Sequence, residues 1–414
     1  MKAYERLLRY VKIHTASDES KDTTPTSERQ FDLARILCAE LLALGVDASL
    51  DEHCYVYGKL AATPGYEGRA RIGFIAHMDT APDFSGEGVK PRIIENYDGK
   101  DVVLGDSGRV LSARDFPHLP SLCGRTLIVT DGTTLLGADD KAGIAEIMTM
   151  LERVIENKIP HGQISICFTP DEEVGAGTVC FDVKRFDADF AYTLDGGEEG
   201  EVVYENFNAA GAHFEIRGVN VHPGSAKDIM VNAAAVASEI NAALPEDEVP
   251  SRTSGREGFY HLTDLSGTVE RAEASYIVRD HDLDRFLERK ARLIELAAEM
   301  NRKYREDTVT LTLTDQYFNM KEKILPVFGV VSLALGATQA LGLSTSSDPI
   351  RGGTDGARLT TELGLPCPNL GTGGYAFHGP FEHITVEGME NATSVITEMV
   401  RLASAKTAKE ILRP

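Results

Sequence analysis

Histidine, aspartate and glutamate recur at five places along the chain, each at or near the end of a segment predicted to be a strand. The five segments are His77–Thr80, Gly137–Gly143, Thr169–Gly175, Leu194–Gly197 and Gly371–Gly379. Ligands bind at strand ends in open α/β sheets, and mixed histidine and carboxylate ligands suit zinc. Each segment alone has an ordinary reading, such as a helix N-cap, an Asx turn or a solvated acidic loop. Together they favour a metal site.

Two of these segments carry a further signal. Alternate residues of a strand share a face, so His77 and Asp79 point the same way. Asp79 is therefore placed to accept the second N–H of a metal-bound imidazole. In the second segment, the small residues around Asp139 and Asp140 permit a tight backbone and close approach of a ligand. A helix N-cap and a first-turn acid would explain Asp140 comfortably but the small residues less well.

The elements that must position these residues follow from apolar patterns. Strands rich in Ile, Phe and Val are predicted in the first half, and Gly143–Glu156 has apolar residues at helical spacing. This alternation predicts an α/β sheet with parallel strands. A second helix is predicted over Ile324–Leu341, in the last part of the chain, where α/β character is again expected. The predicted strands are 71–77, 127–130, 163–169 and 190–194.

From about Ala212 the order of predicted helices and strands changes, which predicts a second domain. The predicted order there is β-α-β-β-α-β, the split βαβ (ferredoxin-like) arrangement. The chain of 414 residues has a length that suits two domains. We therefore expect a discontinuous catalytic domain, residues 1–211 plus 319–414, and an inserted lid or dimerisation-type domain, residues 212–318.

Composition excludes several classes of function. The formal net charge of −22 makes nucleic acid and anionic membranes poor partners. The charged N-terminal stretch has no apolar core of a signal peptide. The six cysteines are scattered without a CxxC pair, which fits a reducing compartment. The sequence predicts a cytoplasmic protein.

The motifs, in order, resemble the metal-binding motifs of the M20 metallopeptidases. The segments that carry the resemblance are HMDT, GADDKAG, TPDEEVGAGT, LDGG and the late His378. The opening MKAYERLLRYVKIHTASDES, the stretch TDGTTLLGADDKAGIAEIM and the late RGGTDGARLT are similar to the tripeptide aminopeptidase branch of that family. The resemblance runs essentially from end to end.

The resemblance implies a role for each metal-type residue. It places His77, Asp139 and Asp195 around one metal ion. It places Glu173 and His378 around a second ion, with Asp139 bridging the two. Asp79 would orient His77, Glu172 would be the general base, and the Asp139–Asp140 peptide would be cis. Spacing alone does not decide which of Glu172 and Glu173 is base and which is ligand. Two divalent ions are expected, zinc above all, with cobalt or manganese as alternatives.

In the inserted domain the resemblance implies substrate contacts. His222 would donate to the developing oxyanion and Arg279 would hold a peptide carboxylate. Arg351 is a further substrate-binding candidate. The implied activity is removal of the N-terminal residue of tripeptides by a metal-activated water, and a homodimer is left open. The alternatives are a dipeptidase, carboxypeptidase or amide deacylase of the same family, a non-catalytic scaffold on the same fold, and a structural site with one metal ion.

Overall fold

Two separately packed units make up the chain, described by a computed structural model that covers residues 1–414. The first unit comprises 1–204, 322–348 and 354–414, and the second comprises 205–321 and 349–353. The second unit thus begins before the expected residue 212 and also takes up a short later segment. Its first strand begins at Asn208, which pairs with Asp280, and the next residue, Ala209, also pairs with Tyr317 of a second strand.

The helices and strands follow one another as an α/β series. The helices are α1 (Ala3–Tyr10), α2 (Gln30–Ala43), α3 (Ala138–Glu156), α4 (Val183–Phe186), α5 (Ala233–Ala242), α6 (Leu283–Lys303), α7 (Lys321–Ile324), α8 (Gly329–Ala340), α9 (Asp355–Thr361), α10 (Val386–Ala403) and α11 (Ala408–Ile411). The strands are β1 (Asp47–Leu50), β2 (Val56–Leu60), β3 (Ile72–His77), β4 (Arg92–Ile94), β5 (Val102–Leu104), β6 (Arg109–Leu111), β7 (Leu127–Val129), β8 (Ile164–Thr169), β9 (Phe190–Leu194), β10 (Val202–Val203), β11 (Asn208–Arg217), β12 (Phe259–Gly267), β13 (Arg271–Asp280), β14 (Val309–Tyr317), β15 (Asn369–Leu370), β16 (Gly374–Tyr375) and β17 (His383–Thr385).

A seven-stranded mixed sheet is the centre of the first unit. Its order is β1-β2-β8-β3-β9-β15-β10, and its central strands β8, β3, β9 and β15 run parallel. Every residue of β3, β8 and β9 is buried, as expected for parallel strands covered on both faces. The predicted α/β fold is confirmed, and its sheet is mixed, with three parallel pairings at the centre and three antiparallel pairings toward the edges. The carboxyl ends of β3, β8 and β9 meet at one edge.

One predicted strand lies elsewhere. Leu127–Val129 is not part of the parallel sheet but of a separate four-stranded sheet, order β16-β17-β7-β4, whose pairings are antiparallel. A run of three apolar residues shows that a strand forms but contains no information on its partner. The expectation that this strand belongs to the βα alternation was therefore wrong.

The helix predicted over Ile324–Leu341 is interrupted. The chain forms the short helix α7, a 3-10 turn over Leu325–Val327, and then α8. Pro326 lies in the turn, where it removes a backbone N–H donor and prevents a continuous helix. The two helical pieces meet at a bend of 77°. No single helix in the structure has the length and apolar character to cross a membrane, and this bent pair meets those two criteria only jointly.

The second unit is built on a four-stranded antiparallel sheet of order β12-β13-β11-β14. Helices α5 and α6 pack on this sheet, and the elements follow in the predicted order β-α-β-β-α-β. Alternate residues of β13 are buried, from Ala272 to Asp280, because one face of the sheet packs against the helices. Arg279 falls on the other, less buried face.

Candidate metal centre

Three of the predicted metal-type segments meet where parallel strands end. His77 is the last residue of β3, Asp195 directly follows β9, and Glu172 and Glu173 follow β8 after a two-residue turn. Parallel pairing of β3 with both β8 and β9 fixes these strand ends side by side. His77 Nε2 lies 3.4 Å from Asp195 Oδ1. The parallel sheet therefore gathers side chains that are more than a hundred residues apart in sequence.

Asp139 lies between two histidines. Its Oδ1 is 3.0 Å from His77 Nε2 and its Oδ2 is 3.5 Å from His378 Nε2. The residue sits at the start of α3, where Asp139 and Asp140 depart from helical backbone angles and their shared peptide is cis. The cis peptide that the family resemblance implies is therefore present. One carboxylate thus presents one oxygen to each imidazole.

His378 completes this arrangement from the glycine-rich loop that follows β16. Its Nε2 is 2.9 Å from Glu173 Oε2, and its φ of 63° places it in the left-handed region. The His378 side chain is 45% exposed, whereas that of Glu173 is only 4% exposed. The histidine therefore forms the solvent side of a cluster in which Glu173, Asp139 and Asp195 have side chains only 4%, 12% and 14% exposed.

The donor atoms are close enough to share cations. Three groups have their oxygen and nitrogen atoms within 4.8 Å of one another: His77 with Glu172 and Asp195, His77 with Asp139 and Glu173, and Asp139 with Asp140 and Asp195. Glu173 Oε1 is buried and has no hydrogen-bond partner. A buried carboxylate oxygen without a partner is costly unless a cation or donor meets it. The residues present fit two divalent ions.

The close packing of acidic side chains shifts the pKa values of the cluster. Burial, and next the charge of Asp139, raise the pKa of Glu173 to about 7 and that of Asp195 to about 6. Burial and the charge of Asp195 hold the pKa of Glu172 well above its usual range. Burial opposes ionisation of Asp139 too, but hydrogen bonds with His378 and His77 hold its pKa below the usual range. The carboxylates share more negative charge than two imidazoles offset, which favours bound cations.

Asp79 makes more hydrogen bonds than the predicted one that orients His77. The backbone carbonyl of Asp79 accepts the His77 Nδ1–H at 3.0 Å, closer than its carboxylate oxygen at 3.3 Å. The carboxylate itself accepts the backbone N–H groups of Glu172 and Glu173, at 3.0 and 3.2 Å. Asp79 is fully buried. It therefore ties the end of β3 to the turn after β8.

Glu382 was missed by the sequence reasoning. Its buried carboxylate accepts the backbone N–H groups of Leu136 at 2.6 Å, Gly137 at 2.8 Å and Asp139 at 3.0 Å. Glu382 lies four residues after His378, so one side chain links the segments that carry two of the predicted ligands. An acid directly before the short strand β17 was the only signal in the sequence.

The three consecutive acids after β8 take separate directions. Asp171 turns away from the cluster and accepts hydrogen bonds from the Thr26 N–H, the Thr26 hydroxyl and Gln30 Nε2. Glu172 and Glu173 turn into the cluster. Repulsion among the three is thus relieved by polar partners for Asp171. The sequence indicated that these three acids are crowded but not which of them would point away from the cluster.

The predicted substrate residues lie in the second unit. His222 is exposed and its Nδ1 accepts the Gly224 N–H at 3.1 Å. Arg279 donates to the carbonyls of Ala210 and Val278, and burial lowers its pKa. Their substrate roles stay predictions.

Arg351 also belongs to the second unit, although it was expected in the catalytic domain. Its guanidinium donates to the carbonyls of Gly255 and Glu257 and to the Thr253 hydroxyl. It also stacks over Phe207, 5.1 Å from the ring centre. These contacts attach 349–353 to the second unit.

Known proteins resemble the chain over its whole length. A family model for the M20 peptidase dimerisation domain matches residues 204–308. Peptidase T of Alkaliphilus oremlandii is 52% identical over 404 residues, which cover 97% of this chain and 98% of that protein. Identity at this level over nearly the full length shows common family membership.

Solved structures share the fold. A tripeptidase from Staphylococcus aureus superposes with a TM-score of 0.78 at 21% identity, covering 98% of each chain. A dinuclear metal-binding peptidase of the M20 family from Bacillus subtilis gives a TM-score of 0.66 at 14% identity, covering 98% of this chain and 99% of that one. The chain belongs to the peptidase T family of M20 metallopeptidases.

Proposed function

We propose that the chain is a metal-dependent aminopeptidase that removes the N-terminal residue from tripeptides. The observation that carries the proposal is Asp139, whose two carboxylate oxygens each face one of two histidines in a buried acidic cluster. Such a bridge suits two-metal hydrolysis, in which one carboxylate holds both ions. Membership of the peptidase T family, together with the fold shared with a tripeptidase from Staphylococcus aureus, supports the tripeptide as substrate.

The donor set divides between two ions. We assign His77, Asp139 and Asp195 to one ion, and Glu173, His378 and the same Asp139 to the other. Mixed nitrogen and carboxylate ligands support zinc, while cobalt and manganese suit the same set. When bound, the ions supply Lewis acidity that polarises the scissile carbonyl and lowers the pKa of the attacking water.

Glu172 is the proposed general base. Its backbone N–H is held by Asp79, and its carboxylate lies within the group formed with His77 and Asp195. A base in this position takes a proton from the attacking water and returns it to the leaving amine. The same proximity would let Glu172 act as a metal ligand, and a substitution separates the two roles.

The ends of the peptide are read by opposite charges. The carboxylates of the cluster favour the free ammonium of the first residue. Arg279 is the proposed partner of the peptide carboxylate, and His222 is the proposed donor to the developing oxyanion, a role worth ~2.7–4 kcal/mol. Arg351 is the weaker candidate, because three of its donor contacts are already made within its own unit.

We also propose a cellular location and an assembly state. All six cysteines are free, which supports a reducing compartment such as the cytoplasm. A homodimer is supported by the match of residues 204–308 to a family model for a peptidase dimerisation domain. Peptides are the proposed partners in solution.

Replacing Glu172 by Gln tests the base. The amide keeps the shape but cannot take a proton, so kcat should fall by about 10²–10⁴ while both ions stay bound. Asp139→Asn is the matched comparison and should lose metal, because it removes the bridging charge. Metal analysis and tripeptide kinetics on both variants give the answer. Near wild-type turnover in Glu172→Gln would show that the base is assigned wrongly, and metal loss would make Glu172 a ligand.

Replacing Glu382 by Gln tests the positioning of Asp139. An amide can accept from Leu136 and Gly137 but then faces the Asp139 N–H with its own donors. Metal affinity should fall about 10- to 100-fold, the usual cost of losing an outer-sphere partner. Competition with a fluorescent chelator measures this without reference to activity.

The exposed Glu362→Gln is the control for Glu382→Gln and should bind metal as the wild type does. Unchanged metal affinity in Glu382→Gln would mean that the three backbone hydrogen bonds do not set the ligand geometry.

Product analysis decides which end of the peptide is cleaved. Met-Gly-Gly should yield Met and Gly-Gly, as followed by mass spectrometry. Acetylating its amine should abolish cleavage, since this removes the ammonium that the carboxylates favour, whereas amidating its carboxylate should weaken cleavage less. Release of glycine first, leaving Met-Gly, would make the protein a carboxypeptidase instead.

A further inference from the structure

The segment 13–30, named the strap here, is attached to three segments that lie next to predicted metal ligands. The first attachment is to the loop after β3. Ala16 forms a parallel bridge with Thr80, and the backbone N–H of Ser17 donates to the Thr80 carbonyl at 3.2 Å. The strap therefore runs alongside the residues that follow His77.

The other two attachments use buried charged groups. Lys141, only 1% exposed, donates from Nζ to the Ile13 carbonyl at 2.7 Å, which joins the strap to the start of α3. Asp171 accepts three hydrogen bonds from Thr26 and Gln30, which joins it to the turn after β8. The strap is therefore attached at three points to segments that lie next to the predicted ligands His77, Asp139 and Glu173.

A cleft of about 530 Å³ opens between the tip of the strap and 173–179. This volume is within the usual range for small-ligand sites, roughly 300–1,000 Å³. Glu173 forms part of the wall, and its buried Oε1 has no partner. The cleft thus begins at a proposed metal ligand and extends outward under the strap.

The lining combines acidic and aliphatic side chains. The strap contributes the carboxylates of Glu19 and Asp22, neither of which has an ion-pair or hydrogen-bond partner in the structure, against one ammonium from Lys21. The opposite wall contributes the apolar Val174 and Val179. Carboxylates beside an aliphatic wall suit a group that is a cation at one end and a hydrocarbon at the other.

We propose that this cleft is the subsite for the first residue of the substrate. Glu19 and Asp22 attract its α-ammonium, and Val174 and Val179 contact its side chain. The inference rests on the proposed aminopeptidase function, and it adds the strap carboxylates to the cluster carboxylates that favour the peptide's free amine.

Leucinamide is the probe, because it has the free amine and an aliphatic side chain but no scissile peptide bond to a second residue. Calorimetry on the metal-loaded full-length protein should show leucinamide binding, and N-acetyl-leucinamide should bind more weakly. The double variant Glu19→Gln with Asp22→Asn should weaken leucinamide binding about three- to tenfold, as two exposed charge pairs allow. This loss should shrink at high salt, which screens exposed charges.

The same factor should appear in the KM for Leu-Gly-Gly, with kcat and metal content unchanged. Glu28→Gln is the matched control, because Glu28 is an exposed acid of the strap outside the cleft. The proposal is overturned if the double variant binds leucinamide like the wild type, if Glu28→Gln shows the same loss, or if the double variant loses metal.

Failure of the proposed function has a different signature. In that case the wild-type protein does not cleave tripeptides or releases the C-terminal residue first. The leucinamide comparison is read from binding alone, so it still decides whether the cleft recognises a free amine.

Discussion

Crowding of buried carboxylates at one sheet edge is the constraint that governs the rest of the structure. Asp139, Glu172, Glu173 and Asp195 all lie where parallel strands end and α3 begins. Burial and mutual repulsion both oppose ionisation of such groups. Two imidazoles offset only part of this charge, so the arrangement is stable as an ionised cluster when cations are bound. Metal binding and folding of this edge are therefore linked.

A second set of acids holds the first set in place. Asp79 binds the backbone of Glu172 and Glu173, Glu382 binds the backbone around Asp139, and Asp171 binds the strap. Each of these acids meets N–H or hydroxyl donors, so its charge is satisfied without metal. The ligand carboxylates are thereby left to the ions. Because one set of acids binds the backbone and another set faces the ions, a site made of five distant segments keeps one geometry.

Much of the fold and of the candidate site could be predicted from the sequence, for physical reasons that differ between features. The strands β3, β8 and β9 were predictable because buried parallel strands are continuous apolar runs. The ligands could be located because their motifs follow those strands. The pairing of Leu127–Val129 was not predictable, since a three-residue strand encodes no partner. The break at Pro326 was overlooked, although proline in a helix is a local signal.

Glu382 and the strap show what local patterns cannot give. Glu382 acts on a backbone more than two hundred residues earlier in the chain, and nothing in its own surroundings indicates that partner. The second unit begins at Glu205 rather than near residue 212, and its first strand β11 pairs with β13 and β14, which lie more than fifty residues later in the chain. Contacts between distant segments set these features, and only the folded chain shows them.

The most direct test of the central claim is a zinc titration of chelator-stripped protein, following bound ions and tripeptide cleavage together. A carboxylate bridge at Asp139 predicts that cleavage is absent without metal and reaches its maximum only as the second ion binds. Cobalt or manganese should restore activity with the same two equivalents. Full activity with one ion per chain, or with none, would contradict a two-metal centre built around Asp139.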